Sequence, residues 1–474
     1  MPPSQFVDDP RQAYSRLRAA HLNTVTSALE DHVSRLSWSR ERIESFQQQR
    51  LRALLGYARE RSPFHAQRLR GLDTSSATVA DLVRLPVMTK QDAQQNWDAI
   101  VTAVDLDRDC AERVLAEQQW FSYTPNNEQI FSSGGSSGVR GIYVWDWEFA
   151  VSVTCLAWRM QAAHERSRPP RQPPALLAVL AAGGPPHAST PLFDVPTTPT
   201  MTTVVIPAGQ PFEEVRSAVA AARPSHVVGY ATVIGKLARA TLAGDLDIGP
   251  VRVSTNSEPL FDEDRVAIEQ AWNAPLHNLW GSTEIGVQAV GCGLGEGLHV
   301  CEDEVILERV DEDGTPVADD APAARTLATG LANRTFPFIR YDLGDQVQPL
   351  NGACACGSAF ARVADIGGRR DDDFCYPTST IPASVFRHIL GTDPRISEYQ
   401  VRQTAGGAEI LAVGNPDVDH LTSSMIDALA KHGLNDPDVQ IQLVQNLPRQ
   451  QASGKLRRFV PLTAQQNADR TSDK

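Results

Sequence analysis

The spacing of apolar residues divides the chain into an N-terminal helical segment and a longer stretch where strands and helices alternate. Residues 9–60 carry apolar side chains at helical spacing among Arg, Glu and Gln, which predicts helices throughout this segment. Further along, short β-like runs are separated by helical runs, an alternation that predicts a layered α/β domain with parallel strand pairs. The predicted strands are IYVWDW, ALLAVLA, TTVVIPA, HVVGYA and VRVSTN, with helices near 212–223 and 232–243.

A smaller α+β unit is predicted after Gly367. SVFRHIL and LTSSMIDALAKHG have helical patterns, and VILERV, EILAVG and VQIQLVQ are assigned to this unit as strands. The charged, Gly-containing segment GGRRDDD at 367–373 is a candidate hinge. We therefore expect a large N-terminal domain over 1–367 and a small C-terminal domain over 368–474.

Composition narrows the class of protein. The 474 residues, of which 42% are hydrophobic and 21% charged, are typical of a soluble globular protein with more than one core. A net charge of -13 argues against sequence-independent binding of nucleic acid, which needs a basic surface. The longest apolar run, PALLAVLAA, is far shorter than the ~20 residues of a membrane span.

The N-terminus and the cysteines predict the compartment. Met1 to Pro10 is polar and lacks the apolar core of a signal peptide, and seven cysteines, an odd number, do not suggest a disulfide framework. We expect a reduced, cytoplasmic protein that binds neither nucleic acid nor a membrane.

A Gly/Ser-rich segment, FSSGGSSGVRG from Phe131 to Gly141, precedes the strand IYVWDW. Glycines allow backbone N–H groups to turn inward and serine hydroxyls add donors, so such a loop can bind phosphates. It is not a Walker loop, because the G-x-x-x-x-G-K-[ST] spacing is not met. A flexible linker of the same composition remains the alternative.

Two further segments offer groups that suit a nucleotide. LWGSTEIG, from Leu279 to Gly286, combines hydroxyls with a carboxylate that could bind Mg²⁺, although a helix N-cap also satisfies this pattern. In RYDLGDQ, from Arg340 to Gln346, an Asp after a Gly turn could accept both hydroxyls of a ribose, with a simple turn Asp as the alternative.

A lysine near the C-terminus lies in PRQQASGKLRR, from Pro448 to Arg458. A Lys on a Gly-containing loop can stabilise negative charge that develops on a carboxylate and an α-phosphate. A solvated basic loop is the alternative.

These four segments in this order, with GGRRDDD between the third and fourth, resemble the adenylate-forming superfamily of acyl-CoA synthetases, peptide-synthetase adenylation domains and luciferases. Within it the chain is similar to the phenylacetate-CoA ligase branch and its coenzyme F390 synthetase-like relatives. The resemblance covers nearly the whole chain and implies a large layered α/β domain with a small, mobile α+β domain. Other matching segments are GYARERSPFHAQRLRG at 56–71, LVRLPVMTKQD at 82–92, VSTNSEPL at 253–260 and GLHVCEDE at 297–304.

The resemblance implies a role for each matching residue. It implies binding of the α-phosphate side by Ser282 and Thr283. It implies binding of the triphosphate by Ser133, Gly134, Gly135, Ser136, Ser137 and Gly138. Glu284 is implied for Mg²⁺, Asp345 for the ribose, and Ser257, Glu258 and Pro259 for the adenine. Arg369 is implied beside the nucleotide, Asp371 as the hinge and Lys455 as the adenylation lysine. His187, Tyr230 and Gly281 are candidates for the acid pocket, and Arg140 stands where many relatives have Lys.

The implied function is an AMP-forming ligase of secondary metabolism that uses ATP and Mg²⁺. A small, aromatic carboxylic acid attacks the α-phosphorus, pyrophosphate leaves, and the small domain rotates before an acceptor, by default CoA, attacks the acyl-AMP. The segment after Asp371, DFCYPTSTIPASVF, lacks the Gly of the loop that lines the pantetheine tunnel in this branch. An amine or a carrier-protein thiol therefore stays open as acceptor. A catalytically silent relative that binds acyl groups or nucleotides is the rival class, and a homodimer is left open.

A separate set of residues, Cys292, His299, Cys354 and Cys356, has metal-like spacing. Three thiolates and one imidazole suit a closed tetrahedral zinc site, although C-x-C is tighter than the usual C-x₂₋₄-C. The resemblance favours a structural zinc, with reduced, partly buried cysteines as the alternative. Cys301 competes with His299 as a ligand.

Overall fold

The N-terminal segment is helical, as its periodicity predicts. The structure is a computed structural model that describes residues 10–118, 121–133, 140–166, 175–182, 184–193, 201–393, 395–450 and 454–462. Helix α2 buries Ile43, Leu51 and Leu55 on one face. Its first turn is capped by the hydroxyl of Ser39, which accepts from Arg42 N. The helices are α1 (Pro10–Arg35), α2 (Arg40–Arg61), α3 (Pro63–Arg68), α4 (Lys90–Gln95), α5 (Trp97–Ile100) and α6 (Arg108–Glu117).

A large sheet with helices between its strands follows. Strands β4, β3, β5, β6 and β7 are parallel neighbours, and β8 and β9 continue the sheet in antiparallel fashion. The predicted parallel α/β layer is thereby confirmed. The elements are β1 (Gln129–Ser133), β2 (Gly141–Trp145), α7 (Trp147–Arg166), β3 (Ala175–Ala181), α8 (Ser189–Phe193), β4 (Met201–Pro207), α9 (Phe212–Ala222), β5 (His226–Tyr230), α10 (Ala231–Ala243), β6 (Arg252–Asn256), α11 (Asp262–Trp272), β7 (Leu276–Ser282), β8 (Gly286–Val290) and β9 (Leu298–Val300).

Short strands extend this sheet and form a second one beside it. The next elements are β10 (Val305–Val310), β11 (Arg325–Gly330), β12 (Tyr341–Asp342), β13 (Pro349–Leu350) and β14 (Arg362–Val363). Within the described residues, β14 and β13 complete the large sheet next to β9, whereas β10, β11 and β12 form an antiparallel sheet of their own. The assignment of VILERV to the C-terminal unit is therefore wrong. That segment is β10, which pairs with β11 over its whole length. Both strands precede the candidate hinge at 367–373, so neither belongs to the C-terminal unit.

The C-terminal part has its own sheet and core. Its elements are β15 (Phe374–Cys375), β16 (Thr380–Ile381), α12 (Ala383–Leu390), β17 (Ile396–Gln403), β18 (Gly407–Gly414), α13 (Val418–Lys431), β19 (Asp438–Leu443) and β20 (Phe459–Val460). The sheet order is β19-β18-β17-β20 in the described residues. Its face is covered by α12 and α13, which bury Phe386, Met425 and Leu429 against it.

No helix among those described is both long and apolar enough to cross a membrane.

A buried ion pair joins α7 to the segment between β9 and β10. The Arg159 guanidinium donates to Asp303 Oδ2 at 2.7 Å, and both side chains are almost fully buried, at 1% and 0% exposure. Asp303 also accepts from Arg35 of α1 at 3.2 Å. Carboxylate neighbours raise the pKa of Arg159, so this cation stays charged despite its burial. The pair therefore holds the first helix, α7 and the sheet edge in one fixed arrangement.

We expect Arg159→Met to lower the free energy of unfolding by about 3 kcal/mol, because it leaves the buried Asp303 carboxylate with one cation fewer. The matched control is Arg166→Met on the same helix, whose ion pair with Glu30 is exposed. That loss should be about 0–1 kcal/mol. Urea unfolding of both variants measures the difference. Equal losses would contradict a special role for the buried pair.

Candidate active site

A cavity of about 660 Å³ lies where the carboxyl ends of β5, β6 and β7 meet the C-terminal part. Parallel strands end at the same edge of a sheet, so the segments after them come together there although they are far apart in sequence. The described site residues that line the cavity are Ser133, His187, Ser257, Glu258, Pro259, Gly281, Ser282, Thr283, Glu284, Asp345, Arg369, Asp371 and Lys455. The structure thus brings these thirteen predicted residues into one site.

Six other predicted site residues are not among the described residues that line the cavity. Gly134, Gly135, Ser136, Ser137 and Gly138 lie outside the described residues. Tyr230 is fully buried and does not line the cavity; its hydroxyl accepts from Ala182 N at 3.0 Å. Tyr230 therefore supports the floor of the cavity, and its ring lies beneath Lys455.

The carboxylate of Glu284 is held by two tyrosines. Tyr143 of β2 donates its hydroxyl to Glu284 Oε1 at 2.7 Å, and Tyr341 of β12 donates to the same oxygen at 3.1 Å. Burial and the neighbouring carboxylate raise the pKa of both phenols, so both remain donors. A cavity-lining carboxylate that is fixed through one oxygen fits the single protein ligand that Mg²⁺ needs beside phosphate oxygens.

Lys90, at the start of α4, is a cavity residue to which the sequence argument gave no role. Its Nζ donates to Ser133 Oγ at 3.2 Å, directly before the Gly/Ser segment. Burial lowers the pKa of Lys90, while the Glu284 carboxylate opposes that shift. The signal was present as the Thr-Lys of LVRLPVMTKQD, which matched the family without suggesting contact with the phosphate loop.

Asp345 is fixed from two sides. The indole of Trp280 donates to Asp345 Oδ2 at 2.9 Å, and Arg369 Nε lies 3.3 Å from Oδ1. Burial raises the pKa of Asp345, and the Arg369 guanidinium opposes this shift. Arg369 also donates to the carbonyl oxygen of Leu343 at 2.8 Å, so a second contact holds the guanidinium at the cavity.

Lys455 enters the cavity on a tight loop. Gly454 has φ +71° and approaches Gly209 so closely that a Cβ would lie 2.5 Å from Gly209 N, which explains glycine at this position. Leu456 N donates to Glu258 Oε1 at 2.9 Å, and Thr232 donates to the other carboxylate oxygen. Glu258, predicted for the adenine side, thus also binds the Lys455 loop to the large sheet.

The ammonium of Lys455 is partly shielded from water. Its Nζ lies 5.7 Å from the centroid of the Tyr230 ring, within the range of a cation–π contact. Burial lowers the pKa of Lys455, whereas the carboxylates of Glu258 and Glu284 favour the charged form. The cation is therefore stabilised by the acidic groups around it and is poised to bind an anion.

One end of the cavity is apolar. Its wall is formed by side chains from α7, α8 and the β7–β8 hairpin, with the buried His187 as a polar group among them. Gly286 has φ +85°, and a Cβ there would lie 2.6 Å from Val153 Cγ2, so the hairpin backbone itself forms part of the wall. The apolar residues are Trp145, Val153, Leu192, Phe193 and Val287.

The candidate hinge is a single 3-10 turn, Arg370–Asp372. Arg370 is tied to the large part of the chain, because its guanidinium donates to Asp342 at 2.9 Å. Asp373 caps the opposite side by accepting from Ala383 N at the start of α12. Asp371 is exposed between these two anchors.

Arg140, which follows the Gly/Ser segment, does not line the cavity. Its guanidinium forms an exposed ion pair with Glu112 at 2.9 Å.

The four predicted metal ligands also come together, away from the cavity. Cys292 Sγ and Cys354 Sγ are 3.6 Å apart, Cys356 Sγ is 3.3 Å from His299 Nε2, and all four ligand atoms lie within 4.8 Å of one another. Cys301 is not in this cluster. It is buried beside Arg159 and Asp303, and burial raises the pKa of its thiol to about 12. His299 rather than Cys301 therefore faces the three cysteines.

Comparison with known proteins shows what this chain is similar to. No family model matches the chain. The phenylacetate-coenzyme A ligase of Thermus thermophilus is 22% identical over 465 residues, which cover 89% of this chain and 97% of that protein. Protein CapK of Staphylococcus aureus is 28% identical over 131 residues, 27% of each chain.

A solved structure shows the same fold. The crystal structure of 2-hydroxyisobutyryl-CoA ligase in the postadenylation state, in complex with R3-HIB-AMP, superimposes with a TM-score of 0.66 at 17% identity, over 92% of both chains. The chain therefore has the fold of this CoA ligase. Over most of its length it is also similar to a phenylacetate-coenzyme A ligase, as the resemblance of its motifs predicts.

Asp372 gives a pH-dependent prediction. Burial raises its pKa from the ordinary value of 3.8 to about 6. The folded protein thus holds this proton more tightly than the unfolded chain, and the contribution of Asp372 to stability falls as the pH rises from about 4 to 6. Asp372→Asn keeps an acceptor for Arg369 N, so it should be more stable than the wild type at pH 7, by about 1–2 kcal/mol.

Urea unfolding at pH 7 and pH 4 measures this effect, and the gain should shrink at the lower pH. Asp371→Asn, at the exposed neighbouring position, is the control and should give no comparable gain. A gain of the same size at both pH values would contradict the assignment to Asp372.

Proposed function

We propose that this protein uses ATP and Mg²⁺ to activate a small aromatic carboxylic acid as its acyl-AMP, and then passes the acyl group to an acceptor, by default CoA. The observation that carries the proposal is the meeting of Lys455, Glu284 and Asp345 in one cavity beside an apolar pocket. These groups come from three distant segments, and a solvated loop or a simple turn would not require them to meet.

The proposed roles come from the resemblance of the motifs, and the place of the described residues in the cavity supports them. Ser133 and the Gly/Ser segment after it, with Lys90, bind the β- and γ-phosphates; Ser282 and Thr283 lie on the α-phosphate side; and Asp345, fixed by Trp280, accepts the ribose hydroxyls. The full phosphate-loop assignment is Ser133, Gly134, Gly135, Ser136, Ser137 and Gly138, and the adenine side is Ser257, Glu258 and Pro259. Glu284 would hold Mg²⁺, which supplies neutralisation of phosphate charge when bound.

The chemistry of the first step needs positioning and charge neutralisation. A carboxylate oxygen forms a bond to the α-phosphorus, the bond from that phosphorus to the bridging oxygen breaks, and pyrophosphate leaves with the electron pair. Lys455 lies next to both the acid pocket and the nucleotide side, where it stabilises charge on the carboxylate and the α-phosphate. No proton has to be removed from a carboxylate, so no general base is required.

The apolar end of the cavity fits an aromatic acid. Trp145, Phe193 and Val287 offer flat and branched surfaces for an aromatic ring. Because a Cβ at Gly281 would lie 2.9 Å from Gly286 O, this hairpin stays narrow. His187 adds one polar group at the pocket wall.

The acceptor and the domain movement complete the proposal. Two of the similar proteins named above, from Thermus thermophilus and in the solved structure, are CoA ligases, which supports CoA. The segment after the hinge forms the small β15–β16 hairpin rather than a Gly-rich loop, which keeps an amine or a carrier-protein thiol as the second candidate. We place the domain boundary at 367/368 and the pivot at Asp371, between the anchors formed by Arg370 and Asp373.

We expect Lys455→Ala to lower acid-dependent ATP–pyrophosphate exchange about 10²–10³-fold, because it removes the cation that stabilises the developing charge. A panel of phenylacetate, benzoate, 4-hydroxybenzoate and anthranilate identifies the acid. Lys431→Ala, at the exposed end of α13, is the control and should retain wild-type exchange.

Mass spectrometry of the product with and without CoA then separates the acceptors. Exchange that no acid supports, or that survives loss of Lys455, would favour the rival class, a silent protein that binds acyl groups or nucleotides.

We also propose a structural zinc ion at Cys292, His299, Cys354 and Cys356. Donor atoms of a tetrahedral zinc site lie about 3.3–3.8 Å apart, as expected from metal–ligand bonds of about 2.0–2.3 Å. The Cys292–Cys354 and Cys356–His299 distances of 3.6 and 3.3 Å fall in this range. The ion would tie β8 and β9 to the loop between β13 and β14.

Elemental analysis of the purified protein should find about one zinc per chain, as in other closed sites with four ligands. Cys356→Ser should lower both the zinc content and the thermal unfolding midpoint. Cys375→Ser, at an exposed thiol outside the cluster, should change neither. A purified wild-type protein that contains no metal and is nevertheless fully stable would refute the site.

A further inference from the structure

The C-terminal domain is docked on the large domain by an aromatic side chain that crosses between them. Phe261, at the start of α11, is 5% exposed and packs with the core of the C-terminal domain rather than with that of its own. The guanidinium of Arg387 lies 5.0 Å from its ring centroid, and that of Arg458 lies 4.6 Å away. Phe261 is thus enclosed by the partner domain in the orientation that the structure shows.

Arg458 adds two ion pairs to this contact. It donates to Glu263 Oε1 at 2.6 Å and to Asp264 Oδ2 at 2.8 Å, both on α11 of the large domain. Its own side chain is 6% exposed, and Asp264 is 1% exposed. The ring of Tyr399 covers the guanidinium at 5.0 Å, so the cation is stacked on aromatic rings as well as paired.

The backbone of Arg458 belongs to the C-terminal sheet. Val401 N of β17 donates to Arg458 O at 2.7 Å, and the next residue begins β20. Arg458 therefore connects the rigid part of the small domain to the large domain. It lies three residues after Lys455, on the segment whose Leu456 N binds Glu258. A contact made by Arg458 thus decides where the Lys455 loop can sit.

We propose that Arg458, Glu263, Asp264 and Phe261 form a clamp that holds the small domain in the orientation that places Lys455 in the cavity. Arg458 acts as a positioning residue for Lys455 and does not contact the reacting atoms. The proposal rests on the proposed function for its catalytic consequence, although the position of Lys455 can be measured without it. Rotation of the small domain about the hinge must break both ion pairs and withdraw Phe261.

The clamp is not the whole interface. Glu398 of the small domain accepts from Lys236 of the large domain at 2.8 Å and is 2% exposed. Loss of one Arg458 contact therefore loosens the docked orientation without separating the domains. Because removal of one partner of a buried ion pair leaves the other uncompensated, the population with Lys455 in the cavity falls.

Amine labelling reports this population directly. The sequence has five lysines, at 90, 236, 431, 455 and 474. Brief acetylation with sulfo-NHS-acetate, followed by mass spectrometry, gives the rate at Lys455 relative to the exposed Lys431 of the same domain. We expect Arg458→Gln and Glu263→Gln to raise this relative rate about tenfold, and to lower ATP–pyrophosphate exchange by a similar factor. Arg458→Lys should give a smaller change.

The matched control is Arg395→Gln, which removes an exposed guanidinium that pairs with Asp393 inside the small domain. It should leave the relative rate and the exchange unchanged. Thermal unfolding of each variant tests for loss of folding. If Arg458→Gln does not fold, Glu263→Gln decides the question, because Asp264 still pairs with Arg458 there.

An unchanged Lys455 rate in the folded Arg458 and Glu263 variants would overturn the clamp, and so would an equal rise in the Arg395 control. Absence of exchange in the wild type would instead refute the proposed function, and the labelling result would stand apart from it. Equal loss of exchange with no change in labelling would assign Arg458 a different role and would also refute the clamp.

Discussion

The carboxylate of Glu258 lies at the point where the large sheet meets the loop that carries Lys455. One oxygen accepts from Leu456 N, and the other accepts from the backbone and hydroxyl of Thr232 at the start of α10. An anion that accepts three hydrogen bonds holds its donors in a fixed arrangement. The placement of Lys455, and with it the chemistry of the cavity, depends on this contact and on the strand end that presents Glu258.

The cavity is lined by side chains of both charges. Lys90, Arg369 and Lys455 face Glu284 and Asp345 across a space closed on one side by the sheet. Burial alone would push Lys90 and Lys455 toward neutrality, and the carboxylates counteract it. This arrangement suits a polyanion with a bound divalent cation. The anion would pair with the lysines and Arg369, and the cation would pair with a carboxylate.

Two buried ionic contacts of the molecule are each covered by aromatic rings. Around α1 and α7 the Arg159 guanidinium pairs with the buried Asp303 carboxylate and lies 5.1 Å from the centroid of the Phe360 ring. At the interface with the C-terminal part, the ionic contacts of Arg458 are covered by Phe261 and Tyr399. A buried ion pair tolerates little displacement of its partners, so both contacts specify geometry as much as they stabilise it.

The sequence by itself determined the alternation of strands and helices, the resemblance to a family, and the chemical types of the site residues, because periodicity, motif order and turn composition can be read along the chain. Local patterns identified VILERV as a strand but could not assign it to a sheet, since that assignment depends on its pairing with β11. They also could not reveal Lys90 beside Ser133, or show that Tyr230 lies beneath the cavity and not on its wall. The choice of His299 over Cys301 in the cysteine cluster likewise depended on which side chain faced the loop after β13. Only the tertiary structure decided these points, because the direction of a side chain is set by the sheet to which its strand belongs.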